Sequence, residues 1–238
     1  MLKFDPRNPF PSSSHGEIAY AAEQAHSAAA DAWLGLNLAA VEREISERGC
    51  RLRAPGTDGE TQELWLGLAV SSLLTPYTEI KRVLEAVGCG GKSTVVDLGA
   101  AYGRMGFVVA RCFPGARFVG YEYVGERVRE GNRALRLFEW SMGVDIRLQH
   151  ADLASPDFKP MAADIYLIYD YGTMKAIEKT LHDLRRIALE KEFTLIARGA
   201  RCRSVIRARH PWLTEDGRGP FSERISLYRS QSPMQART

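Results

Sequence analysis

The sequence predicts an α/β fold in which helices cover both faces of a mostly parallel seven-stranded sheet. From Thr94 onward, short apolar runs alternate with longer segments of helical periodicity, which is the pattern of successive βαβ units. The first apolar run ends in an acid followed by small residues, as in a buried strand that turns sharply into a helix. Two short runs near the end of the chain are hairpin-like and complete the sheet.

The first five predicted strands lie between residues 94 and 198, and two more follow in the tail. Their ranges are Thr94–Leu98, Arg117–Glu122, Ile146–His150, Ile165–Asp170, Phe193–Arg198, Ser204–Arg207 and Ile225–Tyr228. Three helices are predicted between the strands, from about Gly103 to Phe113, Gly125 to Met142 and Thr173 to Leu189. The sheet and its helices account for the second half of the chain.

A helical extension is predicted upstream of the sheet. Apolar residues recur at three- and four-residue steps between Glu17 and Arg48, with a small shift near Gly35. This pattern fits one bent amphipathic helix or two helices, which we expect to dock on the chain's own core. A loop over 55–59 and a short helix over 63–70 follow.

Length and composition indicate a chain with one large core. The 238 residues are 45% hydrophobic and carry a net charge of +3, and the four cysteines are scattered. We divide the chain into an N-terminal arm with the helical extension (1–87), a ligand-binding domain (88–232) and a tail (233–238). Without an apolar leader or an apolar window of about 18 residues, we expect a cytoplasmic protein with no membrane span.

The turn after the first strand predicts the ligand. Its small residues would let a ligand approach the backbone closely, and they are Gly99, Ala101 and Gly103. The dinucleotide fingerprint G-x-G-x-x-G fails, because its third glycine position falls on Arg104. Asp97 would repel a pyrophosphate but would pair with an ammonium group. S-adenosylmethionine carries an ammonium group on its methionine part, together with a positive sulfonium.

Glu122 ends the second strand and is the second candidate acid. It follows Asp97 by 25 residues, near the spacing of about 20 expected for an acid that binds a ribose. Ligands of open α/β sheets bind outside the carboxyl ends of the strands. A carboxylate accepts from both hydroxyls of a diol. The spacing and the strand therefore favour ribose binding over a solvated strand-end acid.

Asp152 and Leu153 follow the third strand. The carboxylate would accept a hydrogen bond from an adenine amino group while Leu153 covers the ring face. An isolated Asp at such a place is more often a loop or cap residue. Adenine binding is favoured here because two other acids end the neighbouring strands.

Together these residues resemble the class I, seven-β-strand S-adenosylmethionine-dependent methyltransferases, which have a Rossmann-like sheet. The resemblance covers about Thr75 to Tyr228. It implies a methionine-side turn at Asp97, Gly99, Ala101 and Gly103, a ribose ligand at Glu122 and an adenine site at Asp152 and Leu153. Ala101 departs from the family, which usually has glycine there. The implied activity is methyl transfer to an N or O nucleophile.

The fourth strand leads into Asp170 and Tyr171, which in this fold would face the transferable methyl group. No Pro-Pro pair follows Asp170, which disfavours methylation of a nucleic-acid amino group, and no cysteine is present for a covalent pyrimidine adduct. Arginines follow the fifth strand where a metal-dependent enzyme would need carboxylates, so we expect no metal site. Asp170 and Tyr171 are candidate catalytic residues, and Asp170 fits a cap of the following helix equally well.

The segment Thr75–Glu79 is similar to the one that precedes the first strand in the non-SET protein-lysine methyltransferases. That resemblance implies that Tyr77 and Glu79 close over the methionine part, and it favours protein lysine as acceptor. The residues alone fit a plain helix start equally well, with Thr75 as N-cap and Pro76 at the first helical position.

Two other classes of function stay open. A nicotinamide-dependent oxidoreductase would keep the sheet and Glu122, although Asp97 and the broken fingerprint disfavour it. A non-catalytic module would bind the cofactor without transfer. We expect the substrate to be a protein or a small molecule rather than nucleic acid, because the arginines after the fifth strand are not interleaved with aromatic residues.

Overall fold

A computed structural model describes residues 2–12, 19–52, 73–138, 145–216 and 223–231. Its strands are β1 Thr94–Leu98, β2 Arg117–Glu122, β3 Ile146–His150, β4 Ile165–Tyr169, β5 Thr194–Arg198, β6 Leu213–Glu215 and β7 Ile225–Ser230. They form one seven-stranded sheet in the order β3-β2-β1-β4-β5-β7-β6. The first five strands pair in parallel, and β7 runs antiparallel between β5 and β6. The predicted fold class is confirmed.

Helices cover both faces of this sheet. They are α1 Tyr20–Trp33, α2 Leu38–Leu52, α3 Tyr77–Ala86, α4 Arg104–Cys112, α5 Gly125–Leu135, α6 Met174–Ala188 and α7 Ala200–Arg209. Successive strand residues point to opposite faces, so Val95 packs in a cluster with residues of α1, α3, α4 and α5, and Val96 packs in one with α6 and α7. Among the described helices, none combines the length and apolarity that crossing a membrane requires.

The N-terminal extension consists of separate helices that share the core of the sheet. The helical segment is interrupted between α1 and α2 at Gly35, whose φ of +71° lies in the left-handed region. Leu34 and Leu84 are buried in the same cluster as Val95 of β1. The extension therefore docks on the chain's own core, as predicted. The loop predicted over 55–59 and the helix predicted over 63–70 lie outside the described residues.

The start of α3 differs from the prediction by one residue. Pro76 is the N-cap and the helix begins at Tyr77, without a side-chain hydrogen bond from a capping residue. The hydroxyl of Ser27 on α1 instead accepts from the Tyr77 backbone N–H at 3.1 Å. The orphan amide of a helix start is thus satisfied by a neighbouring helix, and the prediction of Thr75 as N-cap is wrong.

The tail holds the largest error of the secondary-structure prediction. Residues 204–207 belong to α7 and not to a strand. Cys202, Val205 and Ile206 are buried at helical spacing. The carboxylate of Asp170 accepts from the backbone N–H groups of Arg201 at 3.0 Å and Cys202 at 2.7 Å. Capping by a residue of distant sequence thus supports this helix. The sixth strand is Leu213–Glu215, and α5 ends at Leu135 rather than near Met142.

Candidate functional site

Three acids lie at one edge of the sheet, as the sequence predicts. Asp97 is the fourth residue of β1, Glu122 is the last residue of β2, and Asp152 follows β3 by two residues. These strands are neighbours, with Asp97 opposite Gly120 and Glu122 opposite His150. From β1 the chain continues to β2 and β3 on one side and to β4 and β5 on the other. Such a switch point is where open α/β sheets bind ligands.

The turn after β1 is fixed by backbone hydrogen bonds and left-handed residues. The N–H groups of Gly99 and Ala100 both donate to the carbonyl of Tyr121 at 2.9 Å. Gly99 has φ +96°, and a Cβ built there would lie 3.2 Å from the Cβ of Tyr171. Gly103 has φ +77° and caps α4. The turn therefore needs glycine at both ends.

Ala101 adopts φ +47°, which makes it the one non-glycine residue of the described chain with a positive φ. A left-handed conformation costs a residue with a Cβ about 1–2 kcal/mol, whereas the extra freedom that glycine gives the unfolded chain costs about 0.4–1 kcal/mol. We therefore expect Ala101→Gly to stabilise the protein by about 0.5–1 kcal/mol in urea unfolding.

The neighbouring Ala100 provides the matched control, because its φ is not positive and its side chain is buried. Ala100→Gly should lose stability through chain entropy and lost burial. Equal losses in the two variants would show that the left-handed geometry of Ala101 carries no strain.

Glu122 ties the end of β2 to this turn. One carboxylate oxygen accepts from the Ala101 N–H at 2.8 Å, and the other accepts from the Val124 N–H at 2.8 Å. The side chain is buried. Each oxygen keeps a further lone pair, so the carboxylate can still accept from a vicinal diol while the backbone holds its orientation.

Asp97 is buried and accepts no hydrogen bond from the described part of the chain, with 6% of the residue exposed. Burial, together with the charge of Glu122, raises the pKa of Asp97 to about 8. A buried carboxyl without a partner is costly, and a perturbed pKa in a crevice is a mark of functional sites. A cation placed beside it would restore its charge.

Asp152 and Leu153 follow β3, as predicted, but the two residues have different surroundings. The Asp152 carboxylate accepts from the Ala154 N–H at 2.9 Å, which closes a local turn after β3. Leu153 is buried in the apolar cluster with Leu98 and Val119. Leu153 is therefore part of the core beneath the end of β3. Recognition of adenine by this pair stays a prediction.

Asp170 and Tyr171 have structural partners that weigh against a role as base. Asp170 caps α7, whereas the following helix, α6, is capped by Thr173. The Tyr171 hydroxyl contacts Thr180 and donates to the Ala176 carbonyl at 3.3 Å. Burial raises the pKa of Tyr171, which disfavours the phenolate. The catalytic assignment of the two residues stays a prediction, and the ring of Tyr171 lies against Gly99.

Tyr77 lies in the core. Its ring stacks on Phe10 at 4.7 Å between centroids, and its hydroxyl donates to Asp31 of α1 at 2.7 Å. The two carboxylate oxygens of Asp31 also accept from Nε and Nη2 of Arg104, the first residue of α4. Tyr77 thus joins the extension to the turn at Gly103 through packing. Direct contact with a cofactor stays a prediction.

Glu79 is buried at the carboxyl end of β5. One of its oxygens lies 3.4 Å from the guanidinium of Arg198, which also donates to the hydroxyl of Tyr20 at 3.0 Å. The guanidinium carbon lies 4.4 Å from the ring centroid of Tyr169, at the end of β4. Glu79 therefore anchors α3 at the ends of β4 and β5, and its role as a lid residue stays a prediction.

Sequence reasoning missed a second group of charged residues beside the turn. Arg127 on α5 and Glu42 on α2 form two hydrogen bonds, at 2.8 and 3.0 Å. Glu42 also accepts from the hydroxyl of Tyr102, in the turn itself, at 2.8 Å. The residues lie up to 85 positions apart, so no local motif could have joined them.

Comparison with known proteins supports the fold. No protein-family model matches the chain, and no curated protein matches it. TrmN from Thermus thermophilus superposes with a TM-score of 0.52 at 16% identity, over 67% of this chain and 50% of that chain. This chain therefore spans about half the length of the TrmN structure. An RNA methyltransferase from Salinibacter ruber, solved with S-adenosyl-L-homocysteine, superposes with a TM-score of 0.50 at 20% identity, over 67% and 94%.

The chain has the fold of the class I, seven-β-strand methyltransferases, as the resemblance implied. The resemblance to the protein-lysine branch gains no support from these structures. One of them is described as an RNA methyltransferase, and the expectation that nucleic acid is disfavoured as substrate of this chain stays a prediction.

Proposed function

We propose that this chain is an S-adenosylmethionine-dependent methyltransferase. Asp97 is the observation that carries the proposal, because its buried carboxyl has no partner in the described chain and lies beside a turn of left-handed residues. A pyrophosphate would be repelled there, whereas an α-ammonium group would remove the cost of burying the charge. The residues present therefore fit this cofactor better than a dinucleotide.

The other candidate residues would each bind a different part of the cofactor. Glu122 would accept from the ribose hydroxyls with the orientation that the Ala101 and Val124 amides impose. Asp152 would accept from the adenine amino group above Leu153. Bound in this way, S-adenosylmethionine would supply an electrophilic methyl group.

The chain's contribution to the transfer would be alignment. An N or O nucleophile must lie opposite the carbon–sulfur bond that breaks, and holding it there supplies most of the advantage. A neutral thioether leaves, so the leaving group needs no acid. Asp170 keeps lone pairs beyond its two backbone bonds and would orient a neutral amine or hydroxyl, whose proton passes to water after the transfer.

Protein lysine and RNA are the acceptors to separate. The segment around Tyr77 favours lysine by resemblance, and one similar structure is an RNA methyltransferase. Incubation with methyl-labelled S-adenosylmethionine and fractionated extract, followed by ribonuclease or protease digestion, would show which class takes up label. Label released by protease alone supports protein, and label released by ribonuclease alone supports RNA.

Calorimetry tests the cofactor site without knowledge of the acceptor. We expect binding of S-adenosylmethionine and no binding of NAD, with weaker binding in Asp97→Ala and Glu122→Ala. If both variants keep the affinity of the unaltered chain, the site assignment is wrong. Binding without transfer to any fraction would favour a non-catalytic module.

A further inference from the structure

Helix α2 of the N-terminal extension lies against α5, beside the turn after β1. The backbone N–H of Asn37 donates to Glu130 at 2.6 Å, and Arg48 pairs with Glu126 at 3.0 Å. These contacts lie at the rim and are partly exposed, so each contributes little. They place the middle of α2, with Glu42, over the residues that follow β2.

Glu42 is the centre of a largely buried cluster. Its carboxylate accepts from Arg127 Nε at 2.8 Å and Nη2 at 3.0 Å, and from the Tyr102 hydroxyl at 2.8 Å. The Glu42 and Arg127 side chains are 13% and 7% exposed. Two parallel bonds between a carboxylate and a guanidinium fix both groups in geometry as well as in charge.

Arg127 also lies near Glu122, the residue proposed to bind the ribose. Its Nη1 lies 3.9 Å from the Glu122 oxygen that accepts from Val124. Burial works against its charge, yet the hydrogen bond to Glu42 and the charge of Glu122 hold the pKa of Arg127 above its ordinary value. One cation is therefore shared by two carboxylates, and its position depends on Glu42.

We infer that Glu42 is a positioning residue for cofactor binding, which couples α2 to the ribose end of the site. Through Arg127 it fixes Glu122, and through Tyr102 it fixes the residue next to Ala101, whose N–H donates to Glu122. Coupling between two sites is reciprocal, so a ligand that engages Glu122 should also stabilise α2. The inference rests on the proposed function, because it assumes that Glu122 contacts the ribose.

The test compares two ligands that differ only at the ribose. S-adenosyl-L-homocysteine and its 2′-deoxy analogue are titrated into the unaltered chain, Glu42→Gln and Glu44→Gln. Glu44 is the matched control, since it lies on the same helix, is 43% exposed and pairs with Arg48. We expect Glu42→Gln to weaken the full ligand by about 10-fold and the deoxy analogue much less, with Glu44→Gln unchanged.

The outcomes separate the inference from the proposed function. An equal loss for both ligands, or no loss, would overturn the role of Glu42 while leaving the cofactor site in place. Absence of binding by the unaltered chain would overturn the proposed function and the inference together.

Hydrogen exchange on the unaltered chain keeps the test valid if Glu42→Gln fails to fold. Binding of S-adenosyl-L-homocysteine should slow amide exchange in residues 38–48 of α2 more than in α6. Unchanged exchange in α2 on binding would contradict the coupling.

Discussion

Asp97→Asn is expected to weaken S-adenosylmethionine binding by about 100-fold while raising the thermal stability of the free protein. Asparagine keeps the shape of the side chain but cannot pair with an ammonium group, and loss of a buried charge partner costs about 2–5 kcal/mol. In the free protein the same change removes a carboxyl that burial and Glu122 disfavour in its charged form. The two effects have opposite signs, which a folding defect cannot produce.

The stability effect should depend on pH. Folding raises the pKa of Asp97 to about 8, so the contribution of this carboxyl to stability is present at low pH and is lost as the pH rises through about 8. Asparagine has no such loss, and its advantage should grow between pH 5 and pH 8. Each kcal/mol corresponds to about 3 °C in Tm for a chain of this size. Thermal melts of both proteins across this range measure it.

Asp164→Asn is the matched control for this substitution. Asp164 precedes β4, accepts from the Thr94 N–H at 2.7 Å and pairs with Lys191 at 2.8 Å. Burial opposes its charge, but the hydrogen bond from Lys191 holds the pKa of Asp164 below its ordinary value. This variant should lose a little stability and keep the affinity for the cofactor. A lower Tm in Asp97→Asn would show that Asp97 is already charged and compensated in the free protein.

Proton release on binding gives an independent check. At pH 7 the Asp97 carboxyl of the free protein holds a proton, given its pKa of about 8, and pairing with an ammonium group should expel it. Binding enthalpies measured in buffers of different ionisation enthalpy should therefore differ for the unaltered chain and agree for Asp97→Asn. Buffer-independent binding by the unaltered chain would contradict the pairing.

The parallel strands could be predicted closely because local sequence determines them. The runs that form β1, β2 and β3 are short and bounded by polar or turn residues, and the structure has the predicted limits for all three. Asp97 and Glu122 lie at or next to the ends of their strands, so the spacing along the chain also placed two acids of the candidate site. Parallel strands that are buried on both faces are nearly continuous apolar runs in the sequence, so they can be recognised without knowledge of their neighbours.

Features that depend on distant partners could not be predicted in this way. Helix α7 is capped by Asp170, which lies 31 residues before Arg201, and the segment reads locally as a strand. Tyr77 is held in the core by Asp31, which lies 46 residues away on α1. The contact of Tyr77 depends on the docking of the extension, which also brings Glu42 beside Arg127.

The buried pair between Asp31 and Arg104 is expected to carry much of this docking. The two side chains are 4% and 5% exposed. Arg104 also donates to the Thr75 carbonyl at 3.0 Å, and Asp31 accepts from the Tyr77 hydroxyl. Asp31→Ala would leave a buried guanidinium without its counter-ion and a buried hydroxyl without its acceptor. Removing one partner of such a pair costs about 3–5 kcal/mol.

Urea unfolding should show this loss for Asp31→Ala and less than about 1 kcal/mol for Asp145→Ala. Asp145 is the control because its pair with Arg117 is exposed, at 31% and 55%. Asp31→Leu combined with Arg104→Met should recover most of the stability, since no charge is then left buried. If the double variant is as unstable as Asp31→Ala, then packing and not the uncompensated charge of Arg104 is what Asp31 provides. Arg104 begins α4 directly after Gly103, so the single variant should also weaken cofactor binding by loosening the turn.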